Sequence, residues 1–255
     1  MMRYCLIIEY DGGAYFGWQR QKVGNSIQGE LEKAIFLATS ENVTVYGSGR
    51  TDSGVHALGQ VAHFDLVREW VPNKLFQAIN AYLKIAGNAI SILRLRVVSN
   101  QFHARFSAIR RSYIYRIITR YSPLALEKGR AWWVKNDLDC EMIRIAAHNL
   151  IGRHDFTTFR SAQCQALSAI RTINHIDINR SGNLIEIKVI ARSFLHTQIR
   201  SFVGSLKLVG EGKWTPDDLK KALLSQDRKS CGPLSPPEGL YFHSVEFPDS
   251  FALST

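Results

Sequence analysis

The sequence predicts an α+β fold of two halves, the first with the ferredoxin-like order β-α-β-β-α-β. Three observations predict it. Short β-branched and aromatic runs alternate with amphipathic stretches rather than clustering by type. The amphipathic stretches carry apolar residues three and four apart. A rough strand–helix alternation returns after the junction Phe102-His103-Ala104-Arg105-Phe106-Ser107, without an exact repeat. With 255 residues, of which 45% are hydrophobic, either one large domain or two moderate ones can bury a full core.

Residues 3–10 are rich in apolar and aromatic side chains and predict the first strand, which Asp11-Gly12-Gly13 ends. Tyr15-Phe16-Gly17-Trp18-Gln19-Arg20 follows, and reads either as a loop tucked on the core or as a surface for RNA bases and phosphates. Asn25 or Ser26 is the N-cap of a helix, with Gln28 three residues beyond Asn25 and Ile27, Leu31, Ile35 and Ala38 on one face. Val43-Thr44-Val45-Tyr46 and residues 60–66 predict two strands. Pro72 fits the first turn of a second helix, whose stripe is Leu75, Phe76, Ile79 and Leu83. Residues 90–98 predict the strand that completes this half.

The second half opens with a strand placing Arg111, Tyr113, Tyr115 and Ile117 on one face. Residues 130–135 predict another strand. Residues 139–151 predict a helix stopped by Gly152. Residues 170–179 and 184–191 flank the turn Arg180-Ser181-Gly182-Asn183 as a hairpin. Residues 193–210 predict the clearest helix, with Leu195, Ile199, Phe202, Val203, Leu206 and Val209 as its core stripe and His196 and Arg200 together on another side. Thr215-Pro216-Asp217-Asp218 starts a short helix, and a last strand follows near 240–247. The predicted division is 1–104 and 105–255.

Charge narrows the partner. Lys and Arg number 32 against 22 Asp and Glu, a net charge of +10, which suggests a polyanion and above all nucleic acid. No apolar run reaches the length of a membrane span, and the N-terminus lacks a signal-peptide cleavage pattern, so the expectation is a cytoplasmic protein without membrane attachment. Four scattered cysteines, Cys5, Cys140, Cys164 and Cys231, form no Cys-x-x-Cys pair and predict neither disulfides nor a metal site. They read as reduced core fillers.

The stretch between the second and third strands is the candidate site. Gly47-Ser48-Gly49-Arg50-Thr51-Asp52-Ser53-Gly54 combines glycines, which allow close backbone approach, with one cation and one carboxylate. On an extended segment Arg50 and Asp52 point the same way and pair, which keeps Asp52 ionised. Taken alone, a glycine-rich loop of this kind reads first as an ordinary turn. A dinucleotide-binding loop is rejected, since Asp52 and Gly54 stand where that motif needs its third glycine and a helix start.

Gly49-Arg50-Thr51-Asp52-Ser53-Gly54-Val55-His56-Ala57 closely resembles the signature of the TruA-type tRNA pseudouridine synthases. Further matches follow in order: Glu9-Tyr10-Asp11-Gly12 with residues 15–21, Phe102-His103-Ala104-Arg105-Phe106-Ser107-Ala108, Tyr113-Ile114-Tyr115, His154-Asp155-Phe156-Thr157-Thr158-Phe159, Phe194-Leu195-His196 with Ile199-Arg200, and Pro237-Glu238-Gly239-Leu240-Tyr241. The resemblance implies the pseudouridine synthase fold, with two ferredoxin-like halves and antiparallel sheets flanking a central basic cleft. It implies isomerisation of uridine at positions 38, 39 and 40 of the tRNA anticodon stem and loop, by a homodimer, with no cofactor and no metal. Asp52 matches the catalytic aspartate and Tyr113 the tyrosine against the target base. Arg50, Arg105 and Arg200 are the further candidates for substrate contact, two of them with a structural alternative: Arg105 in an ion pair, Arg200 as a solvated helix charge. Ser53 departs from the more usual Ala, Gln198 and Ser201 from frequent Met and Asn, and Lys84 from a frequent Pro; these departures bear on local packing.

Overall fold

The computed structural model describes residues 1–21 and 24–251. These residues fold as a mixed α+β protein in two compact units, one of Met1–Arg111 with the described residues from Tyr241 on, the other Ser112–Leu240. The first unit therefore extends past the predicted 104/105 division and regains the last strand of the chain. Among the described residues no helix is long and apolar enough to cross a membrane.

In the first unit, β1 (Met2–Tyr10) pairs antiparallel with β3 (His56–Leu66) on one side and with β4 (Ile90–Val98) on the other. The connecting helices are α1 (Ile27–Thr39) and α2 (Pro72–Ile85), which pack on each other. Ser26 caps α1 by accepting from Gly29 N, and of the predicted stripe Ile27, Leu31 and Ile35 are fully buried while Ala38 is half-buried. Pro72 opens α2, and Leu75, Ile79 and Leu83 form its buried face. The far edge of β3 is shared. β2 (Tyr46–Gly47) pairs antiparallel with it at His63 and Ala62, while β10 (Leu240–Glu246) runs parallel to it at His56 and Ala57.

β2 is far shorter than the predicted strand. Side chains of α1 take the backbone groups that a ladder would use: Glu32 Oε1 accepts from Val45 N (3.0 Å), and Gln28 Nε2 donates to Val45 O (3.1 Å). Gln28 is thus a brace, not part of a capping box.

In the second unit the sheet order is β5 (Arg110–Thr119), β9 (Leu184–Ala191), β8 (Ile170–Ser181), β7 (Gly152–Asp155), with β6 (Trp132–Val134) parallel to β5. The hairpin β8–β9 turns at Gly182, φ +58°. α3 (Cys140–His148), α4 (Gln198–Gly210) and α5 (Pro216–Ser225) pack together, and Phe156 and Phe159 close on Phe202 of α4 at 5.3 and 5.1 Å between rings. Thr215 and Asp218 complete a reciprocal capping box on α5. Gly152 opens β7 instead of closing α3, which ends at His148.

α4 starts five positions later than predicted at Gln198. Thr197 sits at φ +62°, outside the helical region, and Gln198 Oε1 accepts from Leu195 N at 2.8 Å, closing a turn ahead of the helix. Leu195 is buried as its place in the stripe requires, but from the turn. All four cysteines are free; Cys5 and Cys140 are buried, Cys164 and Cys231 only half-buried, so the core-filler reading holds for the first two. Burial pushes the Cys5 thiol up to about 12.

Candidate active site

The loop that carries Asp52 is pinned at nearly every step within the first unit. Ser48 donates to Val61 O through both its backbone N (2.8 Å) and its hydroxyl (2.9 Å). Gln60 Nε2 donates to Gly49 O at 2.8 Å. Thr51 is buried: its carbonyl accepts from Trp18 N (3.0 Å), and its hydroxyl meets the Tyr10 phenol at 2.8 Å. Burial pushes the Tyr10 phenol up to about 12, so it stays neutral. Beyond Asp52, Val55 N donates back to the Asp52 carbonyl (3.2 Å), and Ser53 Oγ and Gly54 N both donate to Tyr15 O. Asp52 is therefore held on a closed turn, half-exposed, by bonds to the backbone on each side of it.

Glycines of the segment after β1 make this grip possible. A Cβ on Gly12 would collide with the Val55 carbonyl, and one on Gly17, at φ +87°, would stand 2.5 Å from Thr51 O and 3.0 Å from the Asp52 carbonyl carbon. Gly47 lies flat against the Trp18 ring, where a Cβ would be 2.5 Å from Cζ2. Tyr15, Gly17 and Trp18 thus bear directly on the catalytic candidate. The reading of this segment as a loop tucked on the core holds for Tyr15 and Trp18, both buried, while Phe16 and Arg20 face solvent.

Among the described residues no ion pair joins Arg50 to Asp52. The predicted pairing needs both side chains on one side of an extended segment. Here the intervening Thr51 is drawn inward by Trp18 and Tyr10, the chain turns at residues 53–54, and Arg50 is exposed to solvent. Arg105 is also exposed. Its backbone is tied to the loop through Arg111, which is buried and whose Nε donates to Ser48 O (3.0 Å) and Nη2 to Arg105 O (2.6 Å). Arg111 was readable only as a strand residue; nothing in its own neighbourhood of sequence signals that it braces the Asp52 loop.

His63, on β3, sits beneath this arrangement. It stacks on Tyr46 (5.1 Å between rings), meets His103 edge-on (4.6 Å), and its Nδ1 accepts from Ala104 N at 3.2 Å. Burial, with Arg3 and His103 nearby and only Asp65 opposing, lowers its pKa to about 4. His103 is lowered for the same first cause. The sign follows: the unfolded chain binds more protons between about 4 and 6.5, so stability is constant above pH 6.5 and is lost as pH falls toward 4. Thermal melts at stepwise lower pH are expected to show this fall and to show less of it in His63→Gln; a midpoint that stays level down to pH 5 would contradict the assignment.

In the second unit Tyr113 lies on β5, buried, edge-on to Phe194 at 5.2 Å. Tyr115, two residues on, is anchored by its hydroxyl to Pro236 O (2.8 Å) and is raised by burial. Arg200 is on the first turn of α4, its Nε donating to Ser235 O at 2.8 Å. His196 precedes the helix, so it does not share a face of α4 with Arg200 as its spacing predicted. Ser201, one of the departures, accepts from Arg228 Nη1 at 3.1 Å, and so packs inside this unit.

A sequence profile described as tRNA pseudouridine synthase matches residues 6–107 and 146–248, which include the Asp52 loop and both ends of the chain's fold. The chain belongs to the tRNA pseudouridine synthase family. Curated members agree over nearly full length. A protein of Sinorhizobium fredii named tRNA pseudouridine synthase A is 62% identical over 97% of this chain and 100% of its own. Namesakes in Rhizobium meliloti and Rhizobium leguminosarum bv. trifolii are 60% and 57% identical, covering 97% and 98% of this chain and 100% and 93% of theirs. Membership in the family makes the chain an isomerase, and fits the mixed α+β architecture of its two units.

Proposed function

We propose that the chain converts uridine to pseudouridine at positions 38, 39 and 40 of the tRNA anticodon arm, with Asp52 as the catalytic carboxylate. The observation that carries this is the Asp52 loop itself: a half-exposed carboxylate on a turn fixed from both sides, in a chain whose relatives are named tRNA pseudouridine synthase A. The reaction breaks the N1–C1′ glycosidic bond, turns the base and bonds C5 to C1′; the C5 proton leaves and N1 gains one. A carboxylate serves as nucleophile to the base or the sugar, or stabilises positive charge at C1′. Placing it on a rigid loop keeps its geometry ready for the reacting atoms. The uridine must leave its stack to be reached. Tyr113 offers a ring against which that base rests, and Arg50, Arg105 and Arg200 supply contacts to the RNA. Arg50, exposed rather than paired with Asp52, is available to a phosphate or a base. In this reading the enzyme is a cytoplasmic homodimer.

The test uses tRNA transcripts carrying 5-tritiated uridine. Tritium release is expected from a transcript with uridine at 38–40 and none from one with cytidine at all three. Equal release from both would overturn the positional assignment. Binding is expected to weaken steeply with salt, because the excess of cations acts through phosphates. Equilibrium titrations at stepwise salt check this, and a flat dependence would contradict it.

A further inference from the structure

Beside the Asp52 loop the first unit carries an aromatic cluster whose two ends are open to solvent. Tyr46, the residue at the head of the loop, is 48% exposed, and Phe106 is 72% exposed. Between them the rings are continuous. Tyr46 stacks on His63 and lies 5.7 Å from His103, and His103 lies 4.4 Å from Phe106 at an interplanar angle of 34°. The Arg105 guanidinium stands over the Phe106 ring, 5.6 Å from its centroid.

Phe106 is held outward by its backbone. His103 Nδ1 accepts from Arg105 N (3.1 Å) and Phe106 N (3.4 Å), Ser107 N donates to His103 O (2.9 Å), and Ser107 Oγ accepts from His103 N (3.0 Å). Arg111 clamps Arg105 O from below. A phenylalanine so exposed contributes little to a core, yet five bonds order the turn that presents it. The ring is ready for a partner before one arrives, and such preorganisation removes an ordering cost from binding. The partner's chemistry follows from the surroundings: flat rings beside an exposed arginine, on a chain of net charge +10, suit a planar, anionic ligand. At most about 20 Å of extended chain separates Tyr46 from Asp52, a few nucleotides' reach along an RNA strand.

We propose that Tyr46 and Phe106 form a stacking platform for unpaired bases of the RNA next to the target uridine, with Arg105 binding the adjoining phosphate. The proposal rests on the Asp52 loop being the reaction site. Stacking on a π-face tolerates any base, so the platform holds the displaced loop without selecting its sequence.

The experiment uses the full chain with Asp52→Ala, which stops turnover, and an anticodon stem-loop RNA carrying 2-aminopurine at one loop position at a time. Binding is expected to quench the probe at one or more positions. Adding Phe106→Ala is expected to remove that quenching and weaken binding about tenfold, with an unchanged salt slope. Phe106→Trp is expected to keep both, and Phe106→Leu, apolar but without a π-face, to lose both. Because Phe106 is exposed, these variants stay folded, and melts confirm it. Unchanged quenching and affinity in Phe106→Ala would overturn the platform. So would full recovery by Phe106→Leu, or a loss of self-association with RNA binding intact, which would give the patch to a second copy of the chain. Turnover by Asp52→Ala would remove the catalytic reading while the quenching result stood, so the two failures are told apart.

Discussion

Asp52→Ala is expected to abolish pseudouridine formation, by at least about 10³-fold in single-turnover rate, while the protein still binds tRNA. The expectation rests on what the carboxylate does and does not hold up. Three bonds at this point of the loop do not involve the carboxylate: Trp18 N to Thr51 O, Val55 N to Asp52 O, and Ser53 Oγ to Tyr15 O. Those bonds survive truncation of the side chain, so the loop keeps its course. Affinity for tRNA comes largely from phosphate contacts by cations, which the substitution leaves in place. A protein that bound tRNA without acting on it would gain from losing a carboxylate that repels phosphate, and its affinity would rise with no activity to lose. Filter binding together with a single-turnover assay separates these outcomes. Turnover by well-folded Asp52→Ala would remove Asp52 from the mechanism. Asp52→Asn is expected to behave like Asp52→Ala, because shape alone does not replace a negative charge.

Gly17→Ala is expected to cost the next largest share of activity. At φ +87° an L side chain is strained by roughly 1–2 kcal/mol. The added methyl must also displace the Thr51 carbonyl and the Asp52 carbonyl carbon, 2.5 and 3.0 Å from where it would sit. These are backbone atoms, which cannot turn aside as a flexible side chain can. The loop moves, and Asp52 with it. A shift of about 1 Å at a reacting group costs on the order of 10² in rate. The expected pattern is a fall in kcat with KM nearly unchanged, alongside a small drop in melting temperature. Gly87→Ala is the control: Gly87 also has positive φ, +68°, but nothing lies within 4 Å of its Cβ position. It should show the conformational cost without the loss of kcat. Equal kcat in Gly17→Ala and wild type would mean that the segment after β1 does not position the loop.

The comparison of these two glycines shows where the sequence could and could not be read. Local signals were legible. Ser26 as a cap, Pro72 at a first turn, Leu75, Ile79 and Leu83 of a stripe whose Phe76 is only half-buried, and the helix start at Thr215 all act within a few residues, and these formed as their spacing requires. The errors arose where a distant group intervened. Val43-Thr44-Val45-Tyr46 has strand composition, but Glu32 and Gln28 of α1 occupy Val45's backbone groups, and β10 takes part of the β3 edge. The stripe through Leu195 is helical in period, but Thr197 in the left-handed region delays the helix. Arg50 and Asp52 have the spacing of a pair, but Thr51 is pulled into the core between them by Tyr10 and Trp18. The candidate site follows the same division. Its carboxylate was legible because it stands in a glycine-rich loop with a distinctive signature. Its supports, Gly12, Gly17 and Arg111, were not, because their roles depend on which backbone lies opposite them.

Asp52 is proposed as the carboxylate that acts on uridines 38, 39 and 40 of the anticodon arm. The most direct test is position-resolved mapping of pseudouridine in a full-length unmodified tRNA bearing uridines at 38, 39 and 40 and elsewhere, treated with equal amounts of folded wild type and Asp52→Ala. Pseudouridine is expected at 38–40 from the wild type, at no other uridine, and none from the variant. Pseudouridine elsewhere in place of 38–40, or its persistence at those positions in Asp52→Ala, would contradict it.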